Sequence, residues 1–341
     1  MISAVYQLTA PRMIEVTYNE LDISAGDVLV RPVYLAICKA DQRYYQGARS
    51  QAALKRKLPM ALIHECVAQV VYDPKGKFKS GDRVIAIPNT PTQEDDVIAE
   101  NYRYSSYFRS SGHNGFLQDY VLMPHDRLVK IDNDVDLGVA AFTELVSVSM
   151  HVITRFKSTS HKRRDKIGIW GDGNLGFITA VILKYVLPES KLYIFGTNPD
   201  KLSYFTFAEG TYDIADIPSD LSIDHAFECV GGTGAQSAIN QIIDYINPEG
   251  TIALTGVSEN FVAINTRMIL EKGLHMYGSS RSGRVDFENT VKLYKEHPQA
   301  VEYLQNLVGD VVKVRSITDI HKAFDLDVNR RIGKTIMKWE K

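Results

Sequence analysis

Cysteine is scarce in this chain, with only Cys38, Cys66 and Cys229 among its 341 residues. An odd and sparse set cannot build the disulfide framework of a small secreted protein. The sequence therefore predicts a protein of a reducing compartment, and we expect a cytoplasmic location. Cys66 follows Glu65 on a predicted strand and Cys229 ends another, so both are expected to be packing residues.

Long apolar runs and an excess of one charge are also missing. The longest apolar stretch, residues 177–187, contains Lys184 and is too short to span a bilayer. No apolar core of a secretory signal follows Met1. A net charge of −2 gives no electrostatic footprint for nucleic acid or an anionic membrane. The length and an apolar content of 45% are typical of a globular protein with two domains.

One glycine-rich segment indicates a binding site. Residues 167–170 predict a strand, and a helix-period apolar pattern follows residue 176. The glycines between them are spaced G-x-G-x-x-G: the first permits a tight turn, the second lets a pyrophosphate approach, and the third lets the helix pack closely. We expect dinucleotide binding here, with contacts from Gly171, Gly173, Asn174, Leu175 and Gly176.

The end of the next predicted strand, residues 191–195, indicates which nicotinamide is bound. Sites that prefer NAD place a carboxylate about 20 residues past the glycines, on the ribose 2′-hydroxyl. Gly196 stands at that place and leaves room for a 2′-phosphate, which predicts NADP(H). The competing acid, Asp200, follows Pro199 and is expected to start a helix; Lys201 could equally contact the adenosine ribose of NAD. The expected contacts are Gly196, Thr197, Asn198 and Lys201.

The order of predicted elements separates two regions. The chain is β-rich up to about residue 88 and again at 116–123, while residues 89–115 are polar and aromatic and predict a long loop. A helix is expected at 139–154. From residue 166 strands alternate with helices, which is the pattern of a parallel, doubly wound sheet. A last strand at 334–339 is expected to rejoin the first region.

Four side chains of the first region have the chemistry of metal ligands. Cys38 ends a predicted strand, His64 and Glu65 follow another, and Glu144 opens the helix. A thiolate, an imidazole and carboxylates give zinc three protein ligands and an open position, as in catalytic sites. Asp41 could fix the tautomer of His64 through the far ring nitrogen. Ordinary interpretations remain open: packing for Cys38, a surface pair for His64 and Glu65, and a helix-dipole partner in Glu144.

The motifs that contain these residues, taken in their order along the chain, resemble those of the zinc-dependent medium-chain dehydrogenase/reductases. The resemblance covers essentially the whole chain. The resemblance implies an α/β fold: a GroES-like β-rich catalytic domain at 1–140 and 284–341, and an inserted Rossmann domain with a doubly wound parallel sheet at 141–283. It places the active site in the cleft between them. It makes Cys38, His64 and Glu65 ligands of one catalytic zinc, with Glu144 a fourth, direct or through water. The motifs are Cys38-x-x-Asp41, His64-Glu65, Gly81–Val84, Glu144–His151, the glycine turn, Phe227–Gly231 and Gly333–Met337.

Two departures from the family pattern matter. Many relatives carry a four-cysteine lobe for a structural zinc, whereas residues 89–115 contain no cysteine, so no second zinc is expected. Alcohol dehydrogenases place a hydroxyl residue and often a histidine after the ligand cysteine, to relay the product proton. Ala40 and Arg43 stand there instead. The proton donor is left open between a zinc-bound water, Glu65 and Tyr44.

Within the family, the sequence resembles the polyol dehydrogenase branch. Three stretches are most similar to the bacterial ribulose-5-phosphate reductases of that branch: residues 41–45, 88–92 and 106–113. This implies NADPH-dependent reduction of D-ribulose 5-phosphate to D-ribitol 5-phosphate, which supplies CDP-ribitol for wall teichoic acid or capsule synthesis. The phosphate calls for cationic donors. The expected substrate contacts are Arg43, Tyr44, Arg109 and His113.

The resemblance also implies a homo-oligomer, a dimer or a tetramer, with a cytidylyltransferase as a candidate partner. Two other functions stay open. One is an NAD(P)-dependent, sorbitol-like polyol dehydrogenase acting on an unphosphorylated sugar alcohol. The other is a dinucleotide-binding sensor without chemistry, against which the set of metal ligands speaks, because a sensor needs no catalytic metal.

Overall fold

The computed structural model describes residues 1–341, and the chain forms two compact units. Residues 1–147 and 282–341 make the first unit, and residues 148–281 make the second, which is inserted into the first. The domain boundaries predicted from the sequence, at 140 and 284, stay a prediction. No helix of the chain is long and apolar enough to cross a membrane.

The first unit begins with strands that pair mostly with antiparallel neighbours, joined by short helices. Its elements up to residue 147 are β1 (Ile2–Ala10), β2 (Met13–Glu20), β3 (Val28–Ala36), α1 (Lys39–Tyr45), α2 (Gln51–Lys57), β4 (Met60–Ala61), β5 (Glu65–Tyr72), β6 (Arg83–Ala86), β7 (Asn89–Pro91), β8 (Ser106–Phe108), β9 (Val121–Met123), β10 (Leu128–Lys130), α3 (Leu137–Ala141) and the start of α4 (Thr143–Thr159).

Two predicted elements of this part differ in extent. The helix expected at 139–154 is split at Phe142 into α3 and α4. The strand expected at 116–123 is reduced to β9. Phe116 and Leu117 are both fully buried but lie outside the strand. Their N–H groups donate instead to the carbonyls of Ile63 and Leu62.

The second unit is one sheet of six parallel strands in the order β13-β12-β11-β14-β15-β16, as the alternating pattern predicts. Its central helix α5 is buried along most of its length, because its residues are apolar on nearly every side. The elements are β11 (Lys166–Trp170), α5 (Asn174–Val186), β12 (Lys191–Gly196), α6 (Pro199–Leu202), β13 (Gly210–Asp213), β14 (Ile223–Glu228), α7 (Ala235–Tyr245), β15 (Ile246–Leu254), α8 (Thr266–Glu271) and β16 (His275–Gly278).

The last segment completes the first unit. Its elements are α9 (Arg284–Glu296), α10 (Pro298–Gln305), β17 (Val308–Val314), α11 (Ile317–Val328) and β18 (Lys334–Trp339).

The C-terminal strand β18 rejoins the first unit, as predicted, and pairs there with β3 of the main sheet. The order of that sheet is β10-β6-β5-β3-β18-β17, with β9 also on β3. A smaller sheet has the order β2-β1-β4. The hydrophobic core combines Leu8 and Phe116 with Phe324 and Trp339, so both segments are needed to fill it.

The predicted loop at 89–115 contains the short hairpin of β7 and β8 and is held together by one arginine. Arg103 donates from Nε to the carbonyl of Ile98 at 3.1 Å and from Nη1 to that of Gln93 at 3.0 Å. Its Nη2 donates to the carbonyl of Asp95. One guanidinium therefore gathers three backbone carbonyls, which suits its fixed fork of donors.

Candidate active site

The candidate metal ligands Cys38, His64 and Glu65 converge within the first unit. One donor atom from each lies within 4.8 Å of the other two. Cys38 follows β3, and Glu65 begins β5. Since β3 and β5 are antiparallel and Ala36 pairs with Glu65, the end of one strand meets the start of the other. The pairing of these two strands thus assembles the cluster.

Asp41 orients the imidazole of His64. Its Oδ2 lies 3.4 Å from Nδ1 of His64, as predicted, which leaves Nε2 for a metal. The hydroxyl of Ser110 donates to Oδ1 of Asp41 at 2.6 Å, and the N–H of Ile63 donates at 3.0 Å. Burial alone would raise the pKa of Asp41, but His64 and these hydrogen bonds hold it below its usual value. The supporting group is therefore a charged carboxylate.

The two carboxylate oxygens of Glu65 have different surroundings. Nζ of Lys334 lies 2.7 Å from Oε1, whereas Oε2 is buried and has no hydrogen-bond partner. Burial alone would lower the pKa of Lys334, but the Glu65 carboxylate raises it above its usual value. A buried oxygen without a partner is costly. A cation shared with Cys38 and His64 would satisfy it.

Glu144 lies beside this cluster, in the first turn of α4. Its Oε2 is 3.9 Å from Nε2 of His64. Burial raises the pKa of Glu144 to about 7; His64 opposes the rise and the negative Glu65 adds to it. A carboxylate at this distance can complete a coordination sphere directly or through a water, so both predicted arrangements remain open.

The donor set fits zinc. Thiolate sulfur, imidazole nitrogen and carboxylate oxygen are its usual ligands, at about 2.0–2.3 Å, and three of them leave a position open for substrate. The buried Oε2 of Glu65 has no hydrogen-bond partner, and a bound cation would satisfy it instead. The thiols of Cys66 and Cys229 lie outside the cluster and are buried, which raises their pKa and marks them as packing residues.

The glycine turn of the second unit has the geometry of a pyrophosphate site. Gly171 has φ of 126°, and a Cβ at Gly176 would lie 1.9 Å from its carbonyl oxygen. Both positions therefore require glycine. A Cβ at Gly173 would meet nothing within 4 Å. The helix starts with Asn174 and Leu175, and its N-cap residue Gly173 has no side chain, so the positive end of the helix dipole meets open space.

A cavity of about 290 Å³ adjoins this turn and is large enough for part of a dinucleotide. The Trp170 ring stacks on that of Phe195 with centroids 3.8 Å apart, and its Nε1 donates to Gln241. Both rings are fully buried, and the residues around the cavity include the polar Thr197, Lys201 and Gln241. The lining includes Trp170, Gly173, Phe195, Gly196, Thr197, Lys201 and Gln241.

Asp172, inside the glycine turn, organises the residues expected to recognise the ribose. Its Oδ2 accepts the N–H groups of Thr197 and Asn198 at 2.9 and 3.0 Å, and its Oδ1 lies 3.6 Å from Nζ of Lys201. A Cβ at Gly196 would lie 2.6 Å from that of Asp172. A side chain at position 196 would therefore clash with Asp172, and the room for a 2′-phosphate beside Gly196 stays a prediction.

Comparisons with known proteins agree with this geometry. Two family profiles match: the alcohol dehydrogenase GroES-like domain at residues 24–133 and the zinc-binding dehydrogenase at residues 208–296. Ribulose-5-phosphate reductase 1 of Staphylococcus aureus is 56% identical over 339 residues, 99% of each chain. The chain belongs to the ribulose-5-phosphate reductase family. The reductase of Bacillus spizizenii is 52% identical over 340 residues, 100% of each chain.

A solved structure shows how closely the fold is shared. The crystal structure of S. aureus TarJ in complex with NADPH matches with a TM-score of 0.91, at 50% identity over 100% of both chains. The predicted resemblance and the predicted fold class, a GroES-like catalytic domain with an inserted Rossmann domain, are confirmed.

Two of the substrate contacts expected for a ribulose-5-phosphate reductase, Arg43 and Tyr44, lie in α1, the helix that follows Cys38. Tyr44 is buried among the core residues of the first unit. The third, His113, is exposed, and its ring lies 4.9 Å from that of Tyr107. Their roles in binding stay predictions.

Arg109, the fourth expected contact, is placed differently. Its guanidinium is buried and donates to the carbonyls of Asn114 and Leu122 at 3.3 Å each. It lies near Cys66, whose side chain points to the opposite face of β5 from that of Glu65. We therefore withdraw Arg109 as a phosphate ligand, because it is enclosed on the far side of the strand.

Sequence reasoning missed two functional residues of this family member. Lys334 belongs to the motif Gly333–Met337, and a lone lysine in the fully buried part of a strand is a signal of a buried partner. Asp172 is the residue between the first two glycines of the turn. Its position at the end of a parallel strand, where the next strand also ends, could have suggested its bonds to residues 197 and 198.

Proposed function

We propose that this chain catalyses the NADPH-dependent reduction of D-ribulose 5-phosphate to D-ribitol 5-phosphate, and so supplies the precursor of CDP-ribitol. The observation that carries the proposal is the intact Cys38, His64 and Glu65 cluster in a chain 56% identical to a ribulose-5-phosphate reductase over its full length. A sensor without chemistry would not need these donors. TarJ, whose NADPH complex matches this fold, supports the choice of cofactor.

The residues of the first unit would hold one zinc and keep its ligands oriented. Bound zinc polarises a carbonyl as a Lewis acid, and bound NADPH supplies a hydride. Cys38, His64 and Glu65 would be the ligands, with Glu144 near the remaining position. Asp41 fixes the His64 ring so that Nε2 faces the cluster. Fixed ligands lower the cost of reorganisation during the reaction.

The residues of the second unit would hold NADPH. The turn from Gly171 to Gly176 and the uncapped start of α5 suit the pyrophosphate. Gly196 places no carboxylate beside the ribose, and recognition of the 2′-phosphate falls to Thr197, Asn198 and Lys201. Lys201 is the only cation of the three, and its ammonium already lies near Asp172.

Initial rates test the proposal directly. Ribulose 5-phosphate and unphosphorylated ribulose are each offered with NADPH and with NADH, and the product is analysed for ribitol 5-phosphate. The pair of ribulose 5-phosphate with NADPH is expected to give the highest kcat/KM. Preference for ribulose would favour the polyol dehydrogenase, and turnover with no pair would favour the sensor.

Metal content tests the ligand assignment. Purified protein should contain one zinc per chain, and Cys38→Ser or His64→Ala should lose both zinc and activity, because each removes a donor. Cys66→Ala is the matched control: it removes a buried thiol outside the cluster and should keep zinc. Two tightly bound zinc ions per chain, or full activity after exhaustive chelation, would contradict the single catalytic site.

The proposal extends to the setting of the enzyme. The family supports a homo-oligomer in the cytoplasm, and the chemistry requires a cytidylyltransferase to consume ribitol 5-phosphate. Light scattering would give the oligomeric state. Co-purification with the cytidylyltransferase, compared with an unrelated transferase, would test the partner.

A further inference from the structure

Two cations flank one buried tyrosine next to the metal-ligand cluster. The guanidinium carbon of Arg49 lies 4.9 Å from the centroid of the Tyr44 ring, and Nζ of Lys57 lies 5.7 Å from it. Tyr44 is only 4% exposed, so the ring is a fixed platform. Each contact is a cation–π interaction, but two like charges around one ring also repel each other.

A third cation increases the positive charge at this place. Arg43 precedes Tyr44 in α1. Burial and the nearby charge of Arg49 lower the pKa of Arg43, which shows that the two guanidinium groups repel each other. Cations gathered against their mutual repulsion are stabilised when an anion binds among them. The arrangement is therefore that of an anion site.

This cation group shares a segment with the metal-ligand cluster. Nζ of Lys57 donates to the hydroxyl of Ser111 at 2.8 Å. The preceding residue, Ser110, donates to Asp41, which supports His64. One pair of adjacent serines thus ties the cations to the residue that orients a zinc ligand. A ketose phosphate presents a carbonyl at one end and a phosphate at the other, which matches these two neighbouring groups.

We propose that Lys57, Arg49 and Arg43, arranged around Tyr44, bind the phosphate of the substrate and so favour phosphorylated over unphosphorylated sugars. This inference rests on the proposed function, since it names the part of that site which recognises a phosphate monoester. Lys57 supplies three donors, of which Ser111 uses one, and a guanidinium supplies a planar fork for two phosphate oxygens. Lys57 is the strongest member, because its ammonium is held in place by both Tyr44 and Ser111.

Lys57→Met tests the proposal, because methionine keeps an apolar stem over Tyr44 and removes the charge. The control is Lys55→Met, on the same helix but exposed. For Lys57→Met we expect kcat/KM for ribulose 5-phosphate to fall roughly ten- to hundredfold, as for loss of a hydrogen bond to a charged group. The rate with unphosphorylated ribulose should stay unchanged. Lys55→Met should match the wild type with both substrates.

Binding of inorganic phosphate, measured by calorimetry, tests the site without turnover. The wild type and Lys55→Met should bind phosphate, and Lys57→Met should not. If Lys57→Met is poorly folded, Lys57→Gln repeats both measurements. Equal losses on both sugars would show that Lys57 only supports Tyr44 and Ser111, and unchanged phosphate binding would place the site elsewhere; either result overturns the inference. A wild type that binds phosphate through Lys57 but does not reduce ribulose 5-phosphate would support the site and refute the proposed function.

Discussion

Each oxygen of the Glu65 carboxylate has a different task. Oε1 is bound to Lys334, and Oε2 is left for the metal-ligand cluster. Lys334 thereby keeps Glu65 from turning both oxygens toward one ion. It also offsets part of the negative charge that Cys38, Glu65 and Glu144 bring together.

Replacing Lys334 by methionine should destabilise the metal-free protein by about 3–5 kcal/mol, because it leaves a buried carboxylate without its partner. Zinc should recover part of this loss, so the increase in unfolding free energy on metal loading should be larger than in the wild type. Lys338→Met is the control on the same strand: Lys338 pairs with Glu340 at the surface and should cost at most about 1 kcal/mol. Chemical denaturation with and without zinc measures both, and equal effects of the two variants would contradict the role of Lys334.

Substitution by alanine should affect different properties at two glycines of the dinucleotide turn: stability at Gly176 and NADPH affinity at Gly173. Gly176→Ala places a methyl group 1.9 Å from a carbonyl oxygen and should cost about 3 kcal/mol or more. Gly173→Ala meets no protein atom within 4 Å and should leave the melting temperature unchanged. It should still weaken NADPH binding by about tenfold, or 1.4 kcal/mol, because the methyl group occupies the approach of the pyrophosphate. Melting curves and NADPH titrations measure the two effects; unchanged NADPH affinity in Gly173→Ala would place the cofactor elsewhere.

At the scale of elements, strand β14 in the second unit carries a histidine whose two ring nitrogens are both engaged. Nε2 of His225 donates to the carbonyl of Arg163 at 2.9 Å, and Nδ1 accepts the N–H of Thr251 at 3.1 Å. Burial, reinforced by the charge of His161, lowers the pKa of His225 to about 4. The ring is therefore neutral in the folded protein, with its proton on Nε2.

This histidine should make folding stability fall with acidity in a defined window. The unfolded chain takes up the proton near the ordinary pKa of about 6.5. The folded chain takes it up only near pH 4, so stability is full above pH 6.5 and declines from there to about pH 4. The loss should be on the order of 3 kcal/mol. In His225→Gln this part of the pH dependence should vanish, as unfolding at a series of pH values would show; an identical slope in both proteins would contradict it.

Local patterns were sufficient for elements whose faces are buried uniformly. The parallel strands of the second unit, such as β11 and β12, are short apolar runs, and they lie where the sequence predicts them. The strand predicted at 116–123 does not include Phe116 and Leu117, because their backbone hydrogen-bond partners come from the distant segment 61–63. Sequence periodicity cannot report which backbone carbonyls a segment will meet.

For the molecule as a whole, the candidate site could be predicted where a side chain has one dominant chemistry. Cys38, His64 and Glu65 were recognisable as donors, and the turn at Gly171 as a dinucleotide motif. Lys334 lies 269 residues from Glu65, and only the pairing of β18 with β3 brings it into the site. Because a whole unit is inserted between these segments, the local sequence around Lys334 cannot predict its contact with Glu65.

Arg103 holds its loop by backbone carbonyls, which every amino acid possesses. Gln93 and Ile98 contribute nothing to the clamp that another residue could not contribute. Over evolutionary time those positions are therefore free to drift, whereas position 103 is not. The same tolerance makes positions 93 and 98 natural places for a protein engineer to change the surface of the loop, because Arg103, which anchors them, stays in place.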